Sequence, residues 1–459
     1  MKRALSSPSL SHPPHDLCVM SIGELGAALR SRELSAEAII TAYLARIEQL
    51  ASVLNAFISI DWEGARAAAK KVDHERSQGI DRGPLHGIPI AVKDCFATKN
   101  QLTTAGSRIL ADYVTDEDAE AVRRLRAAGA VMVGKTNMNE FAFGVTGINP
   151  HYGTVRNPWD PDRIVGGSSS GSAAAVAAAM SAAAIGTDTG GSIRIPASLT
   201  GIVGFKPTYD MIPRHGVVPL SWSLDHVGIC CRTVADTRMV FECLVEYPPA
   251  YRPEQGSLRG LKLGVLADHC EDLTAEVANV WEGFLREAER VGAEIVPVRL
   301  KQVTEVMAAS TAIMFSEAAA VHGEWLRTRR DLYDPQVKTR LLQGALIPAT
   351  TYLQAQQIRR RLIEQNTELF TQVDLLACPT QPDVACRISA VSQEIVRHML
   401  RNTRLAPLLG MPALSMPLRA TGLPVGLQLI GPAGQDQRLL SIAAALEEAF
   451  FTKENSYAE

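Results

Sequence analysis

Two stretches decide how this chain is read: Gly166-Gly167-Ser168-Ser169-Ser170-Gly171-Ser172 and Gly186-Thr187-Asp188-Thr189-Gly190-Gly191-Ser192-Ile193-Arg194. Each is a glycine-rich turn carrying serine hydroxyls, and an alanine-rich segment, 173–184, lies between them. Glycine lets the backbone take positive φ and come close to a bound atom. Consecutive N–H groups in such a turn form an anion-binding concavity. A hydroxyl at the end of a nest of donors is what acyl transfer needs, a nucleophile beside an oxyanion hole.

Outward from these turns, strands and helices alternate. Ile88-Pro89-Ile90-Ala91-Val92 reads as a short buried strand ending at Lys93-Asp94, and Ala130-Val131-Met132-Val133-Gly134 as another. Further strands are expected at 261–266, 293–298, 373–379, 413–417 and 425–430. Helices are expected from Ser35, as cap, through Ile47, then at 62–75, 117–128, 273–291, much of 303–371, and 436–451. The alanine-rich segment itself reads as a helix flanked by the two turns. Strands separated by helices imply a layered α/β/α fold around a large mixed, mostly parallel twisted sheet. Residues 1–16 read as a flexible tail rather than a signal peptide, and 17–459 as a single domain, with Tyr247-Pro248-Pro249-Ala250-Tyr251-Arg252-Pro253 carrying a crossover inside it.

Composition bounds the partners. With 459 residues, 46% hydrophobic and 21% charged, the chain can bury a sizeable core. A net charge of −3 argues against a dedicated nucleic-acid surface, and Arg359-Arg360-Arg361 reads as a solvated helix face. The longest apolar stretch, 173–185, falls short of the ~20 residues that a membrane span needs. The eight cysteines show no metal-ligand spacing and read as buried thiols of a reducing compartment. The expectation is therefore a cytoplasmic protein without membrane or nucleic-acid partner.

Gly167-Ser168-Ser169-Ser170-Gly171 also matches Gly-x-Ser-x-Gly, which would make Ser169 the nucleophile of an α/β-hydrolase elbow. That esterase-like alternative needs a histidine downstream, and His322 and His398 are available. A phosphate loop is weaker, since no Gly-Lys-Ser/Thr follows the glycines.

The segment from Gly166 to Ser198 resembles the signature of the amidase-signature serine hydrolases. Three flanking blocks agree: Pro84-Leu85-His86-Gly87-Ile88-Pro89-Ile90-Ala91-Val92-Lys93-Asp94, Gly134-Lys135-Thr136-Asn137-Met138-Asn139-Glu140-Phe141-Ala142, and Leu423-Pro424-Val425-Gly426-Leu427-Gln428-Leu429-Ile430-Gly431. The resemblance implies a triad of Lys93, Ser168 after a cis peptide bond, and the nucleophile Ser192. It implies oxyanion donors on the backbone of Thr189, Gly190, Gly191 and Ser192, and an acyl pocket at Ala142, Phe143 and Gly144, where core packing is the other reading of Phe143. Ser169 either hydrogen-bonds the lysine or caps a helix. Asp188 and Arg194 either stiffen the turn as an ion pair or offer Arg194 to a substrate carboxylate. Cys95 reads as a buried thiol near the site. A lysine acts as a base only when neutral; its reference pKa is about 10.4, and burial can lower that by roughly 3–5 units.

The function so implied is hydrolysis of a small-molecule carboxamide or carbamate C–N bond, urethanes included, through an acyl-serine, without cofactor or metal, by a monomer or homodimer. The alternative is the A subunit of a glutamine-dependent tRNA amidotransferase, which shares the triad. Gln381-Pro382-Asp383-Val384-Ala385-Cys386 and Val396-Arg397-His398-Met399-Leu400 do not match that subunit's usual Asp-Pro-Leu and Met-Tyr segment.

Overall fold

The computed structural model describes residues 17–246, 258–300 and 302–451. The tail expected over 1–16 and the crossover expected at 247–253 lie outside the described residues.

One 11-stranded sheet organises the chain. Its strands are β1 (Phe57–Ile60), β2 (Pro89–Lys93), β3 (Val131–Thr136), β4 (Ala183–Asp188), β5 (Val203–Lys206), β6 (His226–Cys231), β7 (Lys262–Leu266), β8 (Glu294–Val298), β9 (Leu375–Pro379), β10 (Ala413–Leu418) and β11 (Val425–Ile430). Their spatial order is β1-β3-β2-β4-β6-β5-β10-β11-β9-β7-β8. The sheet is mixed. Parallel pairing is confined to β3-β2-β4 and β9-β7-β8, and every other neighbour pair is antiparallel. Parallel pairing is therefore scarcer than the strand–helix alternation suggests. The difference comes from β5 and β6, whose short runs carry no helical segment between them long enough for a crossover.

β2, β3 and β4 are buried at every residue. Such strands are covered on both faces, which is why they read as unbroken apolar runs rather than alternating ones. Helix Ser170–Ala177 packs against all three of them. Its residues from Ser170 to Val176 are buried, so it has no polar face to offer solvent.

The alanine-rich segment is not one helix. The helix ends at Ala177, Ala179 turns into the left-handed region at φ 55°, and the chain re-enters the sheet as β4 from Ala183. Alanine favours helix as an isolated residue. Here the pairing of β4 with β2 on one side and β6 on the other overrides that preference. Small side chains serve both halves, because helix and sheet approach closely. A Cβ on Gly171 would lie 2.1 Å from the Ala56 carbonyl oxygen and 2.6 Å from the backbone N and O of Asn137.

That contact generates a prediction about packing alone. Gly171→Ala should destabilise the fold by about 1–3 kcal/mol or more, since backbone must move to admit the methyl group. Thermal or denaturant unfolding checks it, and an unchanged midpoint would contradict the packing described.

Candidate active site

Lys93 ends β2, and its side chain is fully buried. Its Nζ contacts three hydroxyls: Ser168 Oγ at 2.8 Å, Ser169 Oγ at 3.0 Å and Thr187 Oγ1 at 2.7 Å. Asp94 follows directly but points to the other face of the strand, as alternation requires. There Lys135 Nζ sits 3.1 Å from its Oδ1, and Thr104 donates to its Oδ2 through both backbone N–H and hydroxyl. Among the described residues no carboxylate pairs with Lys93. Burial accordingly lowers its pKa to about 8, against a smaller upward pull from Cys95, Asp225 and Asp188.

The three hydroxyls are not equivalent. Ser169 Oγ donates to the Thr187 carbonyl at 3.0 Å and accepts the Thr187 N–H at 3.2 Å, so its own proton is committed. Ser168 Oγ has Lys93 as its hydrogen-bond partner, which leaves its proton free to move toward a neutral amine. The Gly167–Ser168 peptide is cis. The two turns are tied by Ser169 N–H donating to the Ser192 carbonyl at 3.1 Å. The elbow alternative does not fit this geometry: Ser169 is buried and saturated, while His322 is hydrogen-bonded to Tyr333 and packed against Phe141 and Trp325.

Ser192 opens onto a cavity of about 790 Å³, together with Thr189 and Gly190. Among the described residues its hydroxyl makes no hydrogen bond, and the backbone N–H groups of Thr189, Gly190 and Ser192 likewise have no protein acceptor. Gly191 differs. Its N–H donates to Asp188 Oδ1 at 2.8 Å, so this donor is held by a side chain rather than left for a substrate oxygen. Asp188 Oδ2 accepts the Ile193 N–H at 3.2 Å, and its two oxygens take Nη2 and Nε of Arg194 at 2.9 Å each. Arg194 is fully buried, passes its remaining contact to Gln428 Oε1 at 2.6 Å, and does not reach the cavity. Of its two sequence readings, the internal ion pair is the one this geometry supports. Cys95 is likewise a buried thiol, its pKa pushed up to about 11, away from the cavity wall.

Ala142, Phe143 and Gly144 line the cavity, with Phe143 edge-on to Phe315 at 5.1 Å. Phe141 and Ala142 take left-handed φ of 49° and 59°, conformations that neighbours must hold. Ala105 does so by accepting the Phe141 N–H at 2.8 Å, and Arg340 by donating to the Phe143 carbonyl.

Several residues escaped the sequence reading. Thr187 supplies the third hydroxyl around Lys93. Asp225 accepts the Thr189 hydroxyl at 2.6 Å and fixes that residue of the turn from behind. Thr403 donates to the Gly190 carbonyl at 2.6 Å. Arg340, Arg397 and Arg404 bring three guanidinium groups to the cavity. Thr187 and Arg397 lay inside quoted segments; Asp225, Thr403 and Arg404 come from connecting segments, and Arg340 from the helix Pro335–Ala345, with no local signature.

The comparisons with known proteins cover nearly the whole chain. The family described as Amidase matches residues 38–440. This chain belongs to the amidase-signature family. A curated relative, the A subunit of glutamyl-tRNA(Gln) amidotransferase from Cupriavidus necator, is 37% identical, covering 94% of this chain and 96% of its own. A crystal structure described as an amidase superposes with a TM-score of 0.88 at 36% identity, over 94% of this chain and 100% of that one. The corresponding A subunit from Thermotoga maritima gives 0.81 at 32%, over 97% of each.

Membership makes the chain a hydrolase-type enzyme of C–N bonds. It also corrects one expectation. A small molecule as sole partner, with no nucleic acid and a monomer or homodimer, does not stand beside family members whose names make them one component of a tRNA amidotransferase. Net charge misled here because it describes this chain's own surface, and one component need not carry the surface that holds its assembly's other ligand. Among the described residues no helix is long and apolar enough to cross a membrane.

The Asp188–Arg194 pair can be tested directly. Asp188→Ala leaves a buried guanidinium uncompensated and should cost about 3–5 kcal/mol of stability. Denaturant unfolding measures this, and a loss below about 1 kcal/mol would show that the pair is not what holds the turn.

Proposed function

We propose that this chain is a serine amidase acting as the A component of a tRNA amidotransferase, releasing ammonia from glutamine for use on a tRNA-bound substrate. The supporting observation is the neutralisable Lys93 amine, hydrogen-bonded to Ser168 behind the turn that carries Ser192. The names of the full-length relatives then favour the amidotransferase component over a free-standing amidase.

In the proposed mechanism neutral Lys93 takes the Ser168 proton as Ser168 takes that of Ser192. The Ser192 oxygen attacks the amide carbon, and the N–H groups of Thr189, Gly190 and Ser192 hold the developing oxyanion. The proton returns through Ser168 to the nitrogen, because an amide anion is a poor leaving group. Ammonia departs and leaves acyl-Ser192. Water attacks in the second half-reaction and frees the acid.

A second reading is a free-standing hydrolase of amides or carbamates. It is favoured by the cavity wall at Val391, Ser392, Val396 and Leu400, part of the region that departs from the usual sequence of the amidotransferase component. Co-expression with candidate partner proteins, followed by assays of ammonia release from glutamine and of amide formation on glutamyl-tRNA, separates the two. Stable association and glutamine turnover support the amidotransferase. Fast turnover of simple amides or carbamates by the isolated chain, with glutamine inert, supports the second reading.

Two further outcomes are expected. Ser192→Ala should abolish turnover of the best substrate, and residual activity above a few per cent would exclude Ser192 as nucleophile. The base must be neutral, so kcat/KM should rise with pH through about 8 and level off above it. Lys93→Ala should remove both that rise and most of the rate.

A further inference from the structure

A second cavity approaches Lys93 by way of Thr187. It measures about 190 Å³ and shares no lining residue with the cavity that Ser192 opens onto. Thr187, whose hydroxyl accepts from Lys93 Nζ at 2.7 Å, forms part of its wall. Val227, the register partner of Thr187 across β4 and β6, forms another part. Trp222, which is 45% exposed, stands where the cavity meets the surface.

A hydrogen bond divides the two cavities. Thr189 lines the first and Asp225 the second, and the Thr189 hydroxyl donates to Asp225 Oδ1 at 2.6 Å. Leu220 and Pro219 continue the division, one lining each cavity. The second cavity has a polar wall. Besides Thr187 and Asp225 it includes His226, whose Nε2 has no hydrogen-bond partner among the described residues. Polar cavities hold water where apolar ones stay dry, and this one has room for several molecules at roughly 30 Å³ each.

The other proton route from Lys93 runs through Ser168 to Ser192. It is interrupted once Ser192 carries an acyl group, because the esterified oxygen has no proton to pass. With a pKa of about 8, Lys93 is cationic in most molecules at neutral pH, and deacylation waits on its neutral form. The titratable groups that face it are Cys95, Asp225, Asp188 and Cys230. None is a ready proton acceptor. Burial pushes the two thiols up to about 11 and about 12, so they stay protonated. Asp188 is paired with Arg194, and Asp225 is taken up by Thr189 and by the N–H groups of Leu220 and Ser221. Cys95 also hydrogen-bonds Thr187, but sulfur is a weak acceptor and competes poorly with water for the hydroxyl proton.

We propose that the second cavity is a water site that connects Lys93 to solvent through the Thr187 hydroxyl, so that the amine changes protonation while the first cavity is filled. The Lys93 ammonium gives a proton to Thr187 Oγ1 as the Thr187 hydroxyl gives its own to a water in the cavity, and that water passes a proton on to bulk solvent. Only N–H and O–H bonds form or break. The route rests on the reading of Lys93, Ser168 and Ser192 given above and adds to it an exit for the proton.

The test seals the first route with a fluorophosphonate, which forms a P–O bond to Ser192 and releases fluoride. Exchange of the Lys93 Nζ protons with solvent is then followed by NMR on protein carrying isotope-labelled lysine, the signal being assigned by its loss in Lys93→Ala. In the sealed wild type the exchange should persist. Thr187→Val should slow it by about 10-fold or more, and Thr187→Ser should restore it. Val217→Phe, which adds bulk to the wall of the second cavity, should slow it as well. A crystal structure of the unmodified wild type, independent of any variant's folding, should show ordered water within hydrogen-bond distance of Thr187 Oγ1. Exchange stopped by the fluorophosphonate alone, exchange unchanged in Thr187→Val, or a dry cavity would each overturn the route. Failure of the fluorophosphonate to label Ser192 would instead remove the serine reading on which the route rests.

Discussion

The structure depends on one buried amine kept apart from negative charge. Lys93 sits at the end of a central strand with three hydroxyls around its nitrogen and, among the described residues, no carboxylate paired to it. A carboxylate in contact would stabilise the ammonium and remove the lone pair. The nearest acid in sequence, Asp94, is drawn off by Lys135 and Thr104 on the opposite side of the strand. The second buried lysine therefore protects the chemistry of the first. Thr187 and Ser169 complete the solvation of the amine with neutral groups; the Ser169 proton is committed to the Thr187 carbonyl, whereas that of Ser168 is not.

A second layer of contacts holds the turn from Thr189 to Ser192. Asp225 takes the Thr189 hydroxyl and the N–H groups of Leu220 and Ser221. Ser221 and Ser223 in turn donate to Glu317 on the helix Val303–Thr328, which also accepts the Tyr352 hydroxyl. The helices that wall the cavity are thus linked by hydrogen bonds to the loop that would hold substrate. A shift in those helices reaches Thr189 through two carboxylates rather than through loose packing.

Much of this was legible in the sequence because it is local. The two glycine turns, the lysine strand and the late strands Ala413–Leu418 and Val425–Ile430 announce themselves within a dozen residues each. What was not legible is long-range. The Arg194–Gln428 contact joins residues 234 apart, and Glu317 meets Ser221 across 96. β1, β5 and β6 were missed as strands: β1 and β5 have four residues each, and β6 carries Gly228 between apolar neighbours, so none shows a clear period. The alanine segment misled in the other direction, since its composition favours helix and only its neighbours make half of it a strand. The arginines of the cavity wall lie in stretches where an exposed helix face would look the same on paper.

Gln428 belongs to β11, close to the end of the described chain, while the ion pair it completes braces the turn formed more than two hundred residues earlier. During synthesis on the ribosome the serine turns, the lysine strand and most of the sheet emerge before this brace exists. A nascent or truncated chain lacking that strand would carry Lys93, Ser168 and Ser192 and still hold Arg194 with one of its contacts missing. The bracing of the turn that carries Ser192 is thereby tied to a strand that is among the last to be made.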